Sequence, residues 1–211
     1  MGIYNPSIYD VCHEAGGMTP HAFEIDPKRL GFILARYKFV AKMLAGKRNV
    51  LEVGCADGYG SRVVRQAVGS LEAIDKDAQS IDEARRLNYS ARWPINFRAR
   101  DMFVPALLPD SWDAVYALDV FEHIASEESA FFLATLSAAA PVCIIGTPSL
   151  ESQQYASELS KQGHVNCMSG EQLQRRCRMH WSQVFMFGMN DETLHTGYLP
   201  MAHYLFAVCV R

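Results

Sequence analysis

At 211 residues with 49% hydrophobic side chains, the chain can bury a full core and fits one domain better than two. A net charge of −3 with 20% charged residues excludes the strong positive field that drives nucleic-acid binding, so nucleic acid is not expected as a partner. The six cysteines (Cys12, Cys55, Cys143, Cys167, Cys177, Cys209) form neither CxxC nor a Cys/His zinc spacing, which reads as reduced thiols in a cytoplasmic protein.

The opening MGIYNP has no charged segment followed by an apolar one, and Pro6 stands where a myristoylation signal wants Ser or Thr. The longest apolar stretch, LATLSAAAPVCIIG, is short and broken by Pro141, so no membrane insertion is expected. Residues 1–29 hold turn formers (Asn5-Pro6, Gly16-Gly17, Pro20, Pro27) among scattered aromatics and read as an irregular arm. Residues 30–211 read as the domain proper. Its first element is a helix, with Leu30, Ile33, Leu34, Tyr37, Val40, Ala41 and Leu44 at helical spacing and Gly46 at its end.

Strands and helices then alternate: NVLEVG, SRVVRQAV, SLEAID, IDEARRLNYS, INFRARD, WDAVYALD, Ala130 to Ala140, and VCIIGT. This is the sequence form of βαβ units around a parallel sheet. Ser80 with Glu83, and Ser169 with Gln172, have capping-box spacing. After residue 147 come a polar stretch, a helix from about Glu171, and two runs, WSQVFMFGM and MAHYLFAVCVR, that read as strands flanking the loop NDETLHTGYLP. The expected class is α/β, a Rossmann-like sheet with helices on both faces.

The stretch VLEVGCADGYG lies where a first strand turns into its helix, the place where open α/β sheets bind ligands. Its glycines, Gly54, Gly58 and Gly60, do not have the GxGxxG spacing of a dinucleotide site, and no Gly-Lys-Ser/Thr follows as in a P-loop. Glu52 and Asp57 put carboxylates beside bare backbone, which suits a ligand with a positive end. Asp75, at the tip of the second strand, stands where an acid accepts hydrogen bonds from both ribose hydroxyls, with a helix N-cap as the plain alternative. Asp101, with Met102 and Phe103, can take an adenine amino group and flank its ring. An adenine nucleoside with an ammonium group and no phosphate describes S-adenosylmethionine (SAM).

With VLEVGCADGYG, EAIDKD, FRARDMF, WDAVYALDVFEHI and IIGTPS in this order, the chain resembles the class I SAM-dependent methyltransferases over nearly its whole length. The resemblance implies a seven-stranded mixed sheet whose last strand is antiparallel. It implies that Glu52, Gly54, Ala56 and Gly58, flanked by Cys55 and Asp57, line the methionine part of SAM. Asp75 and Lys76 would meet the ribose, Asp101 and Met102 the adenine, and Asp119 with Val120 the mouth beside the amino group. Ala56 departs from the family, which often has a second close-set glycine there.

Methyl transfer to oxygen needs alignment, exclusion of water and a group to take the proton. His164 and His123 follow sheet strands at the ligand rim and are the candidate bases, with helix capping as the plain alternative. His195, Asp191 and Glu192 are candidates to shape the acceptor pocket. No metal is expected, a set built from those three being the minor alternative. Tyr9 and His13 belong to the arm, read as a lid over the acceptor or, equally, as a homodimer contact or a plug at the sheet edge. Tail motifs such as TPSLESQQYASELSKQGHVNCMSGEQL resemble those of small bacterial methyltransferases of surface-polysaccharide synthesis, implying a hydroxyl of a sugar or nucleotide-linked sugar as acceptor. The alternatives are a quinone-precursor or catechol-type hydroxyl, an amine, or a SAM-binding regulatory protein without turnover.

Overall fold

The structure, a computed structural model, describes residues 23–24, 26–89, 92–104 and 112–211. The expectations for Tyr9, His13 and most of the arm lie outside them. Helix α1 spans Pro27–Met43, and its start is set by Pro27 in the first turn and by Asp26, whose side chain accepts from the Lys28 amide. The helix therefore starts three residues before Leu30, the first residue of the periodic run. Next come β1 (Asn49–Val53), α2 (Ser61–Arg65), β2 (Ser70–Asp75), α3 (Ala78–Leu87), β3 (Asn96–Ala99), β4 (Ala114–Leu118), α4 (Ser129–Ala139) and β5 (Val142–Pro148).

A short α5 (Glu158–Gly163) precedes α6 (Gly170–Cys177), β6 (Gln183–Asn190), β7 (Thr193–His195) and β8 (Tyr204–Val210). The expected capping box at Ser169 and Gln172 forms, with both reciprocal hydrogen bonds present. That at Ser80 does not, because Asp77 caps α3 through the Gln79 and Ser80 amides and leaves Ser80 inside the helix. An aspartate three residues earlier, beside a strand end, out-competes the serine.

The strands form one sheet in the order β3-β2-β1-β4-β5-β8-β6-β7. Strands β1 to β5 run parallel, and β8 inserts antiparallel between β5 and β6, as the resemblance implies. The eighth strand is an addition to the expected seven: Thr193–His195, read from sequence as loop, folds back on β6 as an edge hairpin. Three residues carry too little alternation to announce a strand, and it is the pairing with β6 that creates it.

Every residue of β4 is buried, as befits a central parallel strand covered on both faces. Alternate residues of β1 point to opposite layers. Leu51 and Val53 pack with Phe132, Leu133 and Leu136 of α4, whereas Val50 packs with Val40 and Leu44 of α1 and Val64 of α2. Glu52, one position from Leu51, consequently faces the α1 layer. The crossovers leave the carboxyl ends of β1, β2, β4, β5 and β6 at one rim, and the functional side chains gather there.

Candidate active site

Among the described residues three non-glycine residues have left-handed backbone, and all three sit at this rim: Ala56 (φ 47°) after β1, Asp119 (φ 56°) after β4 and Asp191 (φ 53°) after β6. Such conformations cost on the order of 1–3 kcal/mol and concentrate where function fixes the backbone. Ala56 is held by its own amide, which donates to Asp75 Oδ2 at 2.9 Å across the tips of β1 and β2. The Asp77 amide donates to Asp75 Oδ1 at 2.9 Å. Asp75 is thus not the cap of α3, which is Asp77. Two of the four acceptor sites of its carboxylate are used, and one on each oxygen remains for a ligand.

The glycines of the loop answer to the protein as well as to any ligand. A Cβ on Gly54 (φ 79°) would meet Val120 Cγ2 at 2.2 Å, one on Gly58 the Phe97 ring at 2.4 Å, and one on Gly60 the Tyr37 ring at 2.2 Å. Packing alone accounts for them. Asp57 is likewise built into the turn, buried and accepting from the Tyr59 amide at 3.2 Å. The Cys55 thiol is buried, which pushes its pKa up, and it behaves as a small apolar group.

Glu52 lies deeper than a ligand-lining role requires. Its carboxylate is 1% exposed beneath the loop, facing the hydroxyls of Ser61, Tyr116 and Tyr37 without closing hydrogen bonds of standard geometry. Burial pushes its pKa up to about 7, against the pull of those hydroxyls. The folded protein therefore holds a proton that the unfolded chain gives up near pH 4.5, and stability falls as pH rises from there through 7. The loss is on the order of 3 kcal/mol at 1.36 kcal/mol per pKa unit. Glu52→Gln is expected to flatten this slope in thermal melts recorded between pH 4.5 and 8, and an unchanged slope would show that Glu52 does not titrate there.

Lys76 and Asp101 are exposed, Met102 is buried, and Asp101 Oδ1 accepts from the Phe103 amide at 2.9 Å. Phe103 stacks on Phe131 with ring centroids 5.8 Å apart, extending an apolar floor beside Met102. Asp119 is engaged by a cation of the protein itself. Arg36 of α1 donates from one nitrogen to both its oxygens, at 2.9 and 3.0 Å, and lies 3.9 Å over the Tyr204 ring. The adjacent Val120 closes on Gly54, so the turn after β4 joins the nucleoside side of the rim to the acceptor side.

On the acceptor side a cavity of about 230 Å³ is lined by residues that include Arg36, Gln153, Tyr155, His164, Asp191 and His203. Of the sequence candidates, His164 and Asp191 line it. His195 does not: it sits on β7 with its ring over Gly188, 3.4 Å from Asn190 Oδ1, which corrects its assignment to the pocket. Glu192 turns toward Gly31 of α1, where an added Cβ would meet its Oε1 at 3.1 Å.

His123 and His164 face each other, ring centroids 5.2 Å apart and edge to face. His123 Nδ1 is 2.8 Å from the Gly163 carbonyl and His164 Nδ1 2.8 Å from Gln153 Oε1. Both partners only accept, so each ring donates from Nδ1, and in the neutral ring the lone pair lies on Nε2. Partial burial, then the neighbouring His123, lower the His164 pKa against the pull of Asp119, which favours the neutral base near pH 7. Glu122, close to both histidines, is buried and accepts from Thr147 Oγ1 at 3.1 Å. Burial and the nearby Asp119 push its pKa up to about 8. Among the described residues the group able to hold a metal is Glu122, His123 and His164, not the His195, Asp191 and Glu192 set weighed from sequence.

Sequence reasoning passed over Arg36 and Gln153. The signal for Arg36 was a cation within the largely apolar run LGFILARYKFV; Gln153 gave none.

The fold is the one seen in class I SAM-dependent methyltransferases. Residues 50–140 match the family model described as a methyltransferase domain. No curated protein matches the chain. Among solved structures, the putative methyltransferase complexed with the Haloferax volcanii Trm112 methyltransferase activator is similar at TM-score 0.72 and 15% identity, over 99% of each chain. Magnesium protoporphyrin IX methyltransferase from Synechocystis, with bound SAM, is similar at TM-score 0.62 and 16% identity, over 95% of this chain and 90% of that one. The small RNA methyltransferase HEN1 matches at TM-score 0.69 and 15% identity over 83% of this chain, which spans 25% of the HEN1 chain. At these identities the likeness is one of fold, and the fold is shared by enzymes with unrelated acceptors. Among the described residues no helix is long and apolar enough to cross a membrane.

Proposed function

We propose that the protein transfers the methyl group of SAM to a hydroxyl of a small polar acceptor, a sugar or nucleotide-linked sugar of surface-polysaccharide synthesis. One observation carries the reading: His164, which the local environment favours as the neutral base, opens on a cavity lined by polar and aromatic side chains. A sulfonium methyl needs in-line approach, and a hydroxyl must lose its proton as it attacks. An amine acceptor needs less help from a base. The lining supports a sugar, because Gln153, Asp191 and His203 supply hydrogen-bonding groups while the Tyr155 ring offers an apolar face. A catechol-type or quinone-precursor hydroxyl is a second reading, favoured by Phe32 and Tyr204 in the same cavity.

Exchange of His164→Ala and His123→Ala, one at a time, is expected to leave S-adenosylhomocysteine affinity unchanged by calorimetry while at least one lowers turnover about 100-fold. Turnover is read as S-adenosylhomocysteine release against nucleotide sugars and catechols. Full rate in both variants removes the histidine pair from the reaction. Binding without release from any acceptor favours a regulatory SAM-binding protein.

A further inference from the structure

We propose that Glu122, His123 and His164 form a binding site for one divalent first-row metal ion, such as Mn²⁺, Co²⁺ or Zn²⁺, with open positions toward the acceptor cavity. Two independent features converge on it. The first is spacing: one ligand atom from each residue lies within 4.8 Å of the others, although Glu122 and His123 come from the turn after β4 and His164 from the end of α5. Two ligands opposite each other across an ion span about 4.2 Å at usual metal–nitrogen distances, so small side-chain rotations close the site.

The second is the environment of the imidazoles. Each has Nδ1 committed to an acceptor, the Gly163 carbonyl for His123 and Gln153 Oε1 for His164, which leaves Nε2 as the ligand atom. Metal-bound histidines are held in this way, by an outer acceptor that fixes tautomer and ring orientation. Thr147 does the same for the carboxylate, donating to Glu122 Oε2. Three protein ligands leave positions for exogenous oxygens, and His164 lines the cavity through which those oxygens arrive. Two nitrogens and one oxygen suit a first-row ion better than Ca²⁺ or Mg²⁺.

The consequence rests on the methyl-transfer reading above. An ion held there would lower the pKa of a bound hydroxyl, whose proton would pass to water, and would take over the activation otherwise given to a free imidazole. The oxygen electron pair then forms the new O–CH₃ bond as the S–CH₃ bond breaks. Its electron pair stays on sulfur, which becomes a neutral thioether, and nothing is oxidised or reduced. Open adjacent positions favour an acceptor with two neighbouring oxygens, a vicinal diol of a sugar or a catechol.

The test is a titration of chelator-stripped protein with MnCl₂, following loss of the free Mn²⁺ electron paramagnetic resonance signal. One Mn²⁺ per chain is expected, with affinity reduced at least tenfold in His164→Gln and in Glu122→Gln. Melting curves show whether each variant is folded; His164 is only half-buried, so its exchange serves should the buried Glu122 exchange unfold the protein. Undiminished free signal with wild type, or folded variants that bind as tightly as wild type, overturns the site. Calorimetry with S-adenosylhomocysteine on the same samples keeps the two readings apart. Cofactor binding without Mn²⁺ binding ends the metal proposal and leaves the free histidine base, whereas Mn²⁺ binding without cofactor binding keeps the site and ends the methyl-transfer reading.

Discussion

Asp75→Ala is expected to weaken S-adenosylhomocysteine binding about a thousandfold. The carboxylate has one acceptor site left on each oxygen after the Ala56 and Asp77 amides are satisfied, and a ribose diol would fill both. Hydrogen bonds to a charged group contribute about 1.5–3 kcal/mol each, so two lost together amount to three or more powers of ten at the upper end. The variant also releases the Ala56 amide, so its left-handed backbone loses the partner that holds it. Calorimetry of the wild type and of Asp75→Ala and Asp75→Asn measures this. An affinity within tenfold of wild type in the alanine variant would remove Asp75 from the nucleoside site, and the cofactor assignment of the β2 tip with it.

A second large effect is expected in stability. Gly54→Ala should lower unfolding free energy by roughly 2–5 kcal/mol, as the sum of about 1–2 kcal/mol for a side chain in left-handed backbone and about 1–3 kcal/mol for overpacking. The new methyl would meet Val120 Cγ2, and Val120 follows a residue, Asp119, that is itself left-handed. Neither side of the contact can retreat without moving a strained turn. The double variant Gly54→Ala with Val120→Ala should recover the overpacking part and keep the backbone part. Urea melts of the two variants test the partition, and no recovery would mean that Val120 is not the obstacle.

How much of this was legible in the chain depends on the range of the interaction. The alternation of strands and helices, the apolar β4 run and the Ser169 capping box depend on residues close together in sequence, and each reads directly from composition and period. The Ser80 box failed for the same local reason, since Asp77 offered a better acceptor. β7 escaped notice because its strand character comes from β6, and the arm's Tyr9 and His13 fall outside the described residues. Within the site, the rim positions of Asp75, Asp119, His123 and His164 followed from strand order. Their partners did not. Arg36 reaches Asp119 from 83 residues away, and Gly163 and Gln153 hold the two imidazoles from 40 and 11 residues away.

The sequence by itself determined the parallel α/β architecture and the acidic strand tips that suit a cationic nucleoside, because periodicity and turn chemistry are local properties of the backbone. Only the tertiary structure decided that Glu52 is sealed beneath the loop, that Asp119 is held by Arg36, that the glycines answer to Val120, Phe97 and Tyr37, and that Glu122 meets two histidines. Burial, tautomer and ligand spacing are set by which elements the sheet order brings side by side, and no stretch of the chain carries that information alone.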